Sequence, residues 1–99
     1  MKRFYLVRRE DMHGVSGTGV VAEGVVFDSG MVAMTWLSEL ESATFFRNVR
    51  TLIKIHGHEG RTIVVMEERD AEEFAACRKE VRAWKSETRK GKRDAKQVS

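Results

Sequence analysis

The residues with the clearest chemical potential lie in a glycine-rich segment, residues 13–24, and in a histidine turn, residues 56–58. The first segment holds four of the eight glycines of the chain, together with two hydroxyl residues. Clustered glycines permit positive φ angles and a close approach of the main chain to a ligand. Backbone N–H groups in such a loop can form a concave anion site. We predict that the ligand is bound by His13, Gly14, Ser16, Gly17, Thr18, Gly19, His56 and His58.

The same glycines also have a purely structural explanation, in which they shape a tight turn and a bulge at the edge of a small barrel. Two known nucleotide motifs do not fit the segment. A Walker loop needs a Gly-Lys-Ser/Thr sequence, and a dinucleotide fingerprint needs another glycine spacing with a helix after it. We therefore expect a phosphate-bearing nucleotide or signalling molecule as the ligand, without assigning it to either motif.

The histidines allow a zinc site as an alternative, with Glu23 or Glu59 as a fourth ligand. His56 could instead hold the end of a helix through a ring N–H. We favour that simpler role, and we predict no metal and no cofactor.

Catalysis would need Ser16 or Thr18 beside a base such as His13 and an acid such as Glu23. Nothing in the spacing of these residues predicts that geometry. We therefore expect a binding module without enzymatic activity.

Length and composition indicate one small globular domain. The chain has 99 residues, of which 41% are hydrophobic and 33% charged, and its formal net charge is +3. The excess of positive over negative charge lies in residues 85–96, so the remainder is close to neutral. Cys77 is the single cysteine, which excludes an internal disulfide and indicates a buried thiol on a helix. No apolar run suits a membrane span or a signal peptide, so we expect a cytoplasmic location and no membrane partner.

Apolar alternation and turn residues predict an α+β fold. We expect a small antiparallel barrel, SH3-like or OB-like and partly open, with a short helix and a C-terminal amphipathic helix. A bulge at Gly24 would bring Val20, Ala22, Val25 and Phe27 to one side of the second strand. The predicted strands are Arg3–Arg8, Gly19–Phe27, Val32–Trp36, Ala43–Phe46 and Arg61–Met66.

Helix signals flank the last predicted strand. Asn48 is the expected N-cap of the short helix, and Gly57 its C-terminal end. Asp70 and Glu73 resemble a capping box at the start of the second helix. Its apolar stripe consists of Phe74, Cys77 or Arg78, Val81 and Trp84.

These signals divide the chain into a barrel-like domain of residues 1–68, an amphipathic helix of residues 69–89 and a disordered basic tail of residues 90–99. The apolar stripe of the helix must be buried, since each large side chain contributes about 1.5–3 kcal/mol on burial. It packs either on the barrel of its own chain or on a second copy, which would give a homodimer.

A nucleic acid or a host protein is an alternative partner. Aromatic side chains on a barrel face can stack on bases, and lysines and arginines can follow phosphates. The basic tail would supply the charge. The candidate aromatic residues are Tyr5, Trp36, Phe45 and Phe46.

Three stretches carry a resemblance to a known group: FYLVRRED at residues 4–11, HGVSGTGVVAEGV at residues 13–25 and IHGHEGRT at residues 55–62. The chain resembles short uncharacterised proteins carried by phages, prophages and mobile elements over residues 3–66. The resemblance implies a viral protein that acts in the host cytoplasm by binding a host factor, a nucleic acid or a defence signalling nucleotide. The helix after Glu67 is an extension beyond the usual end of that group.

Overall fold

Five segments rich in β-branched and aromatic residues form the strands of one antiparallel sheet. A computed structural model of the protein describes residues 1–9, 19–38, 40 and 42–98, apart from the side chains of His58 and of residues 88–98. The strands are β1 (Lys2–Arg8), β2 (Gly19–Val26), β3 (Val32–Trp36), β4 (Ala43–Phe46) and β5 (Thr62–Met66).

The strands lie in the order β4-β3-β2-β1-β5, and each neighbouring pair is antiparallel. β4 and β5 form the two edges, so the sheet stays open. The α+β class and the partly open barrel are thus confirmed. The turn between β2 and β3 is also as predicted, because Gly30 adopts a φ of 96° and the Phe27 N–H donates to the Met31 carbonyl at 2.8 Å.

The first face of the sheet is covered by helix α1 (Val49–His56). Asn48 caps this helix as expected, since its Oδ1 accepts the Thr51 N–H at 2.8 Å. Leu52 of α1 is fully buried among large side chains of the sheet, which include Phe4 and Met34. We call this side of the sheet the α1 face.

The opposite face, here called the α2 face, is built by the intervening residues of the same strands. Tyr5 and Val65 meet Phe74, Cys77 and Val81 of helix α2 (Ala71–Val98) in a second core. The helix therefore packs on the sheet of its own chain. None of the described helices is long and apolar enough to span a membrane.

The irregularity in β2 lies at Val21, so the predicted bulge at Gly24 is wrong. Leu6 pairs with Ala22 and Val7 with Val20, which leaves Val21 as the extra residue. As a result, Val20 packs against the core of the α2 face and Ala22 lies in that of the α1 face.

Gly24 allows the Phe4 ring to approach the main chain of β2 closely. It pairs regularly with Phe4, and a Cβ at this position would lie 2.5 Å from Cζ of the Phe4 ring and 2.6 Å from the Ala33 carbonyl oxygen. The missing side chain therefore makes room for the Phe4 ring in the core.

Helix α2 is longer than the sequence indicated. It continues to Val98, beyond the predicted end at residue 89, so the predicted disordered tail of residues 90–99 is corrected by a helix through residues 90–98. Gly91 costs a helix about 1 kcal/mol relative to alanine, but the lysine, arginine, alanine and glutamine residues around it favour helix.

The start of α2 also differs from the predicted capping box. The Asp70 carboxylate accepts the Met66 N–H at 3.0 Å, and Nη2 of Arg69 donates to the Val64 carbonyl at 2.9 Å. These two side chains cover part of the open edge of β5, where unpaired backbone groups would otherwise face solvent. Glu73 extends away to Arg9.

Candidate functional site

One end of the sheet brings together the two connections that the sequence singled out, and we call it the loop end. Arg8 closes β1 there, and the register pairs it with Gly19 on one side and Thr62 on the other. The Arg9 N–H donates to the Arg61 carbonyl at 2.6 Å. The connection from β1 to β2 and the turn before β5 therefore meet at this end.

The predicted ligand residues are only partly described at the loop end. Gly19 and His56 are described completely, whereas His58 is described by its backbone alone. The others lie outside the described residues: His13, Gly14, Ser16, Gly17 and Thr18. Whether the histidines share one pocket stays a prediction.

Gly19 has the positive φ angle that the glycine-rich segment predicts, at 111°. The amide that follows it, the Val20 N–H, donates to Oε2 of Glu80 at 2.6 Å. A Cβ on Gly19 would lie 2.7 Å from the same oxygen, so glycine allows the carboxylate to approach the main chain. Within the glycine-rich segment, a backbone amide thus binds a negatively charged oxygen.

A second glutamate of α2 contacts the other side of the same connection. Oε1 of Glu73 lies 2.8 Å from Nη2 of Arg9. Glu73 and Glu80 are seven residues apart and therefore lie on one side of the helix. Neither glutamate was predicted as a site residue, although acidic residues recur at a seven-residue spacing along α2. Their partners are 64 and 60 residues away, and no local pattern reveals such contacts.

His56 ends α1 within a cluster of aromatic rings. Its ring centroid lies 5.1 Å from that of Trp36 and 5.7 Å from that of Phe46, both edge to face. Such aromatic pairs contribute about 0.5–1.5 kcal/mol beyond their buried area. The half-buried ring thus joins the end of α1 to β3 and β4, close to the loop end. The predicted contact through a ring N–H stays a prediction.

The turn after α1 closes on its own carbonyl groups. Gly57 is the C-cap, as predicted, but with helical angles of φ −71° and ψ −26°. Its carbonyl accepts the N–H groups of Gly60 at 3.1 Å and of Thr62 at 3.0 Å. The positive φ angles fall instead on Glu59, at 56°, and on Gly60, at 89°. The turn is therefore ordered by its own hydrogen bonds, and the Thr62 hydroxyl is buried without a hydrogen-bond partner among the described residues.

The zinc site, Glu23 and Cys77 are the remaining features that the sequence singled out. Within the described ranges, no three side chains of His, Cys, Asp or Glu lie close enough to hold a metal ion. Glu23 sits on β2 opposite Tyr5 and Thr35. Cys77 is buried as predicted, and burial raises the pKa of its thiol, with the charges of Glu73 and Glu80 acting in the same direction.

The four aromatic residues proposed as a stacking surface separate into different environments. Tyr5 and Phe46 are buried in the two cores. Trp36 is partly buried, and its Nε1 donates to Oγ1 of Thr44 at 3.1 Å. Phe45 is 66% exposed, so among these four it alone presents a largely open ring.

A comparison with known protein families assigns most of this chain to one family. A family model described as Acb5 phage protein matches residues 1–68. The chain belongs to the Acb5 phage protein family. This confirms the resemblance to short phage proteins, while the individual motifs are not tested by it. No curated protein and no solved structure gives a significant match.

The residues that form the loop end lie partly inside and partly outside the Acb5 match. All five strands, α1, the glycine-rich segment and the histidine turn fall within the matched residues. Glu73 and Glu80 fall beyond them, on α2. The two carboxylates that hold the loop end thus come from outside the part of the chain that the family model covers.

Proposed function

We propose that the loop end binds a phosphate-bearing nucleotide or signalling molecule and that the protein catalyses no reaction. The observation that carries this proposal is the hydrogen bond of 2.6 Å from the Val20 N–H to the Glu80 carboxylate. A phosphate offers a backbone amide the same kind of acceptor, a charged oxygen. The ligand would take the position of Glu80, assisted by the amides and hydroxyls predicted for residues 13–18.

Positive charge at the loop end supports an anionic ligand. Arg8 ends β1, Arg9 follows it, and Arg61 directly precedes β5. Guanidinium groups bind phosphate oxygens in a bidentate manner. Arg9 contacts Glu73 in a pair whose side chains are 54% and 43% exposed, and such surface pairs contribute little to stability. Replacement of the Glu73 carboxylate by a ligand phosphate on Arg9 therefore loses little free energy of folding.

The family supports the same class of ligand. The matched family is one of phage proteins. A phage-encoded module that opposes a host defence by sequestering a signalling nucleotide needs an anion site and no catalytic group. The loop end fits that requirement better than it fits the catalytic alternative, which depends on Ser16 or Thr18.

Isothermal titration calorimetry on the full chain tests the proposal. The probes are a nucleoside, its 5′-monophosphate and a cyclic dinucleotide of the same base, so that phosphate content is the main variable. We expect the two phosphate-bearing probes to bind and the nucleoside to show no heat of binding. Equal binding of all three, or none by any at millimolar concentration, contradicts the proposal.

A matched pair of glycine variants locates the site. Gly19→Val should weaken binding of the phosphate-bearing probes at least tenfold, because the side chain occupies the position of the bound carboxylate oxygen. Gly30→Val is the control, since Gly30 also has a positive φ but lies in the turn at the opposite end of β2. Both variants are checked for folding by circular dichroism. Equal loss in the two variants would place the site elsewhere.

A further inference from the structure

Helix α2 covers only part of the α2 face and leaves a groove beside it. The helix packs on β5, β1 and β2. Beyond it, the cross-strand row of Val25, Ala33 and Phe45 forms the floor of a cavity of about 530 Å³. A second cavity of about 400 Å³ continues from it along α2 and is lined by Trp84 and Lys85. We call the two together the sheet groove.

The sheet groove has an aromatic ring on each side. Phe45 lies on the edge strand β4 and is 66% exposed. Trp84 lies opposite on α2 and is partly buried. The small residues Ala33 and Ala43 lie on the floor between them. Two rings on either side of a shallow apolar floor are suited to stacking with planar groups.

The side of α2 that borders the groove is basic. Arg78, Arg82 and Lys85 are exposed and follow the four-then-three spacing that places residues on one side of a helix. Glu73 and Glu80 lie on the other side, toward the loop end. The helix thus separates its charges to the two sides of its apolar stripe.

Neighbouring charges show that the basic side lies near the sheet groove. Arg3 lines the groove, and its guanidinium carbon lies 5.6 Å from the centroid of the Phe74 ring. Burial raises the pKa of the Tyr5 hydroxyl. The charge of Arg3 lowers this pKa, that of Glu23 raises it, and that of Arg78 lowers it more weakly. Glu23 on the groove floor is the acidic residue that accompanies these cations. The groove is therefore bordered mainly by positive charge.

The described part of this basic row holds three exposed cations. From Arg78 to Lys85, a helix rising about 1.5 Å per residue extends about 10 Å. A mononucleotide would use one or two of these cations. A row of three cations suits the successive phosphates of a chain.

We propose that the sheet groove and the basic side of α2 bind single-stranded nucleic acid, with bases stacked on Phe45 and Trp84 and phosphates along the helix. Unpaired bases are required because exposed rings can stack only on bases that are not already stacked in a duplex. This interface uses different residues from the loop end, so it is independent of the nucleotide site proposed above.

Fluorescence anisotropy with a labelled twelve-residue oligothymidylate tests the electrostatic part. The Arg82→Glu/Lys85→Glu variant should bind at least tenfold more weakly, and the plot of log affinity against log salt should become less steep by about 0.7 for each lost phosphate contact. The Arg50→Glu/Lys54→Glu variant is the control, since it makes the same change of charge on α1, across the sheet. Equal weakening in both variants would overturn the proposal in favour of unspecific attraction.

Phe45 tests the stacking part. Phe45→Ala should weaken oligothymidylate binding about tenfold, and Phe45→Trp should preserve it, because aromatic stacking contributes most of the base contact. Phe45 is exposed, so both variants should keep the unfolding midpoint of the parent protein. Unchanged affinity in Phe45→Ala, or tighter binding of a twelve-base-pair duplex than of the single strand, would overturn the proposal.

Discussion

The two faces of the sheet are built from the same strands but are covered to different extents. On the α1 face, Leu52 and Phe4 are almost completely buried. On the α2 face, Phe74 and Val81 are buried, while Phe45, on a strand separated from β1 by two others, stays open to solvent. The covered α1 face lies entirely within the residues that match the Acb5 family. The difference indicates that the α1 face serves packing alone, whereas the α2 face leaves the open surface on which we propose that nucleic acid binds.

Substitution of Gly24, on the α1 face, should reduce the free energy of unfolding more than the other changes below. A Cβ there meets the Phe4 ring and the Ala33 carbonyl within 2.6 Å. We expect Gly24→Ala to lower the free energy of unfolding by about 3 kcal/mol or more, because a backbone atom cannot move aside as a side chain can. Urea denaturation measures this change.

Gly30→Ala is the control for that prediction. Its φ of 96° also disfavours a side chain, but no atom lies within 4 Å of the new Cβ. The expected cost is about 1–2 kcal/mol, from backbone strain alone. If the two variants lost the same stability, the close approach at Gly24 would not be a determinant of the core.

Truncation of one core residue on each face should show which face contributes more to stability. Leu52→Ala should cost about 2–5 kcal/mol, because Leu52 is enclosed on all sides and a cavity would remain. Val81→Ala on the α2 face should cost about 1.5 kcal/mol, from two lost methyl groups beside an open groove. Both are measured by urea denaturation at one pH. A larger loss for Val81→Ala would reverse the ranking of the faces.

The strands could be predicted from the sequence because their alternation is local. Val32, Met34 and Trp36 alternate with smaller or polar residues, and β3 was predicted with its observed bounds. Gly24 shows the limit of this reasoning. A glycine within a strand indicates either a bulge or a close approach, and only the position of Phe4 across the sheet distinguishes them.

The candidate site shows the same limit for contacts between distant residues. Gly19 was identified from its neighbours, and its positive φ follows from them. Glu80 was not, because its contact with Val20 depends on where α2 crosses the sheet. Residues 90–99 were predicted to be a disordered tail because they lack apolar periodicity, although their helix-favouring residues outweigh one glycine.

Removal of the Glu80 charge should have a modest effect on stability. Glu80→Gln keeps an oxygen that can accept the Val20 N–H but loses the charge-assisted part of the bond. Because the site is exposed, we expect a loss of only about 0.5–1 kcal/mol in the free energy of unfolding. Glu72→Gln, an exposed residue in the first turn of α2, is the control. An equal change in the two variants would mean that the Glu80 contact does not help to hold α2 on the sheet.

The smallest expected effect concerns pH and the edge of β5 next to α2. The Met66 N–H holds the pKa of Asp70 below its usual value, with Arg69 assisting. A carboxyl whose pKa is lower in the folded state stabilises the protein above its unfolded pKa of about 3.9, and that stabilisation is lost as the pH falls through the folded pKa.

Asp70→Asn cannot titrate, so its urea midpoint should lie below that of the parent at pH 6 and approach it as the pH falls below about 4. Asp28→Asn should show a similar convergence at the opposite end of the sheet from the loop end, because the N-terminal ammonium, 2.8 Å away, lowers the pKa of Asp28. Parallel curves for Asp70→Asn and the parent at every pH would show that the Asp70 carboxylate does not hold the β5 edge, and that the connection to α2 depends on packing alone.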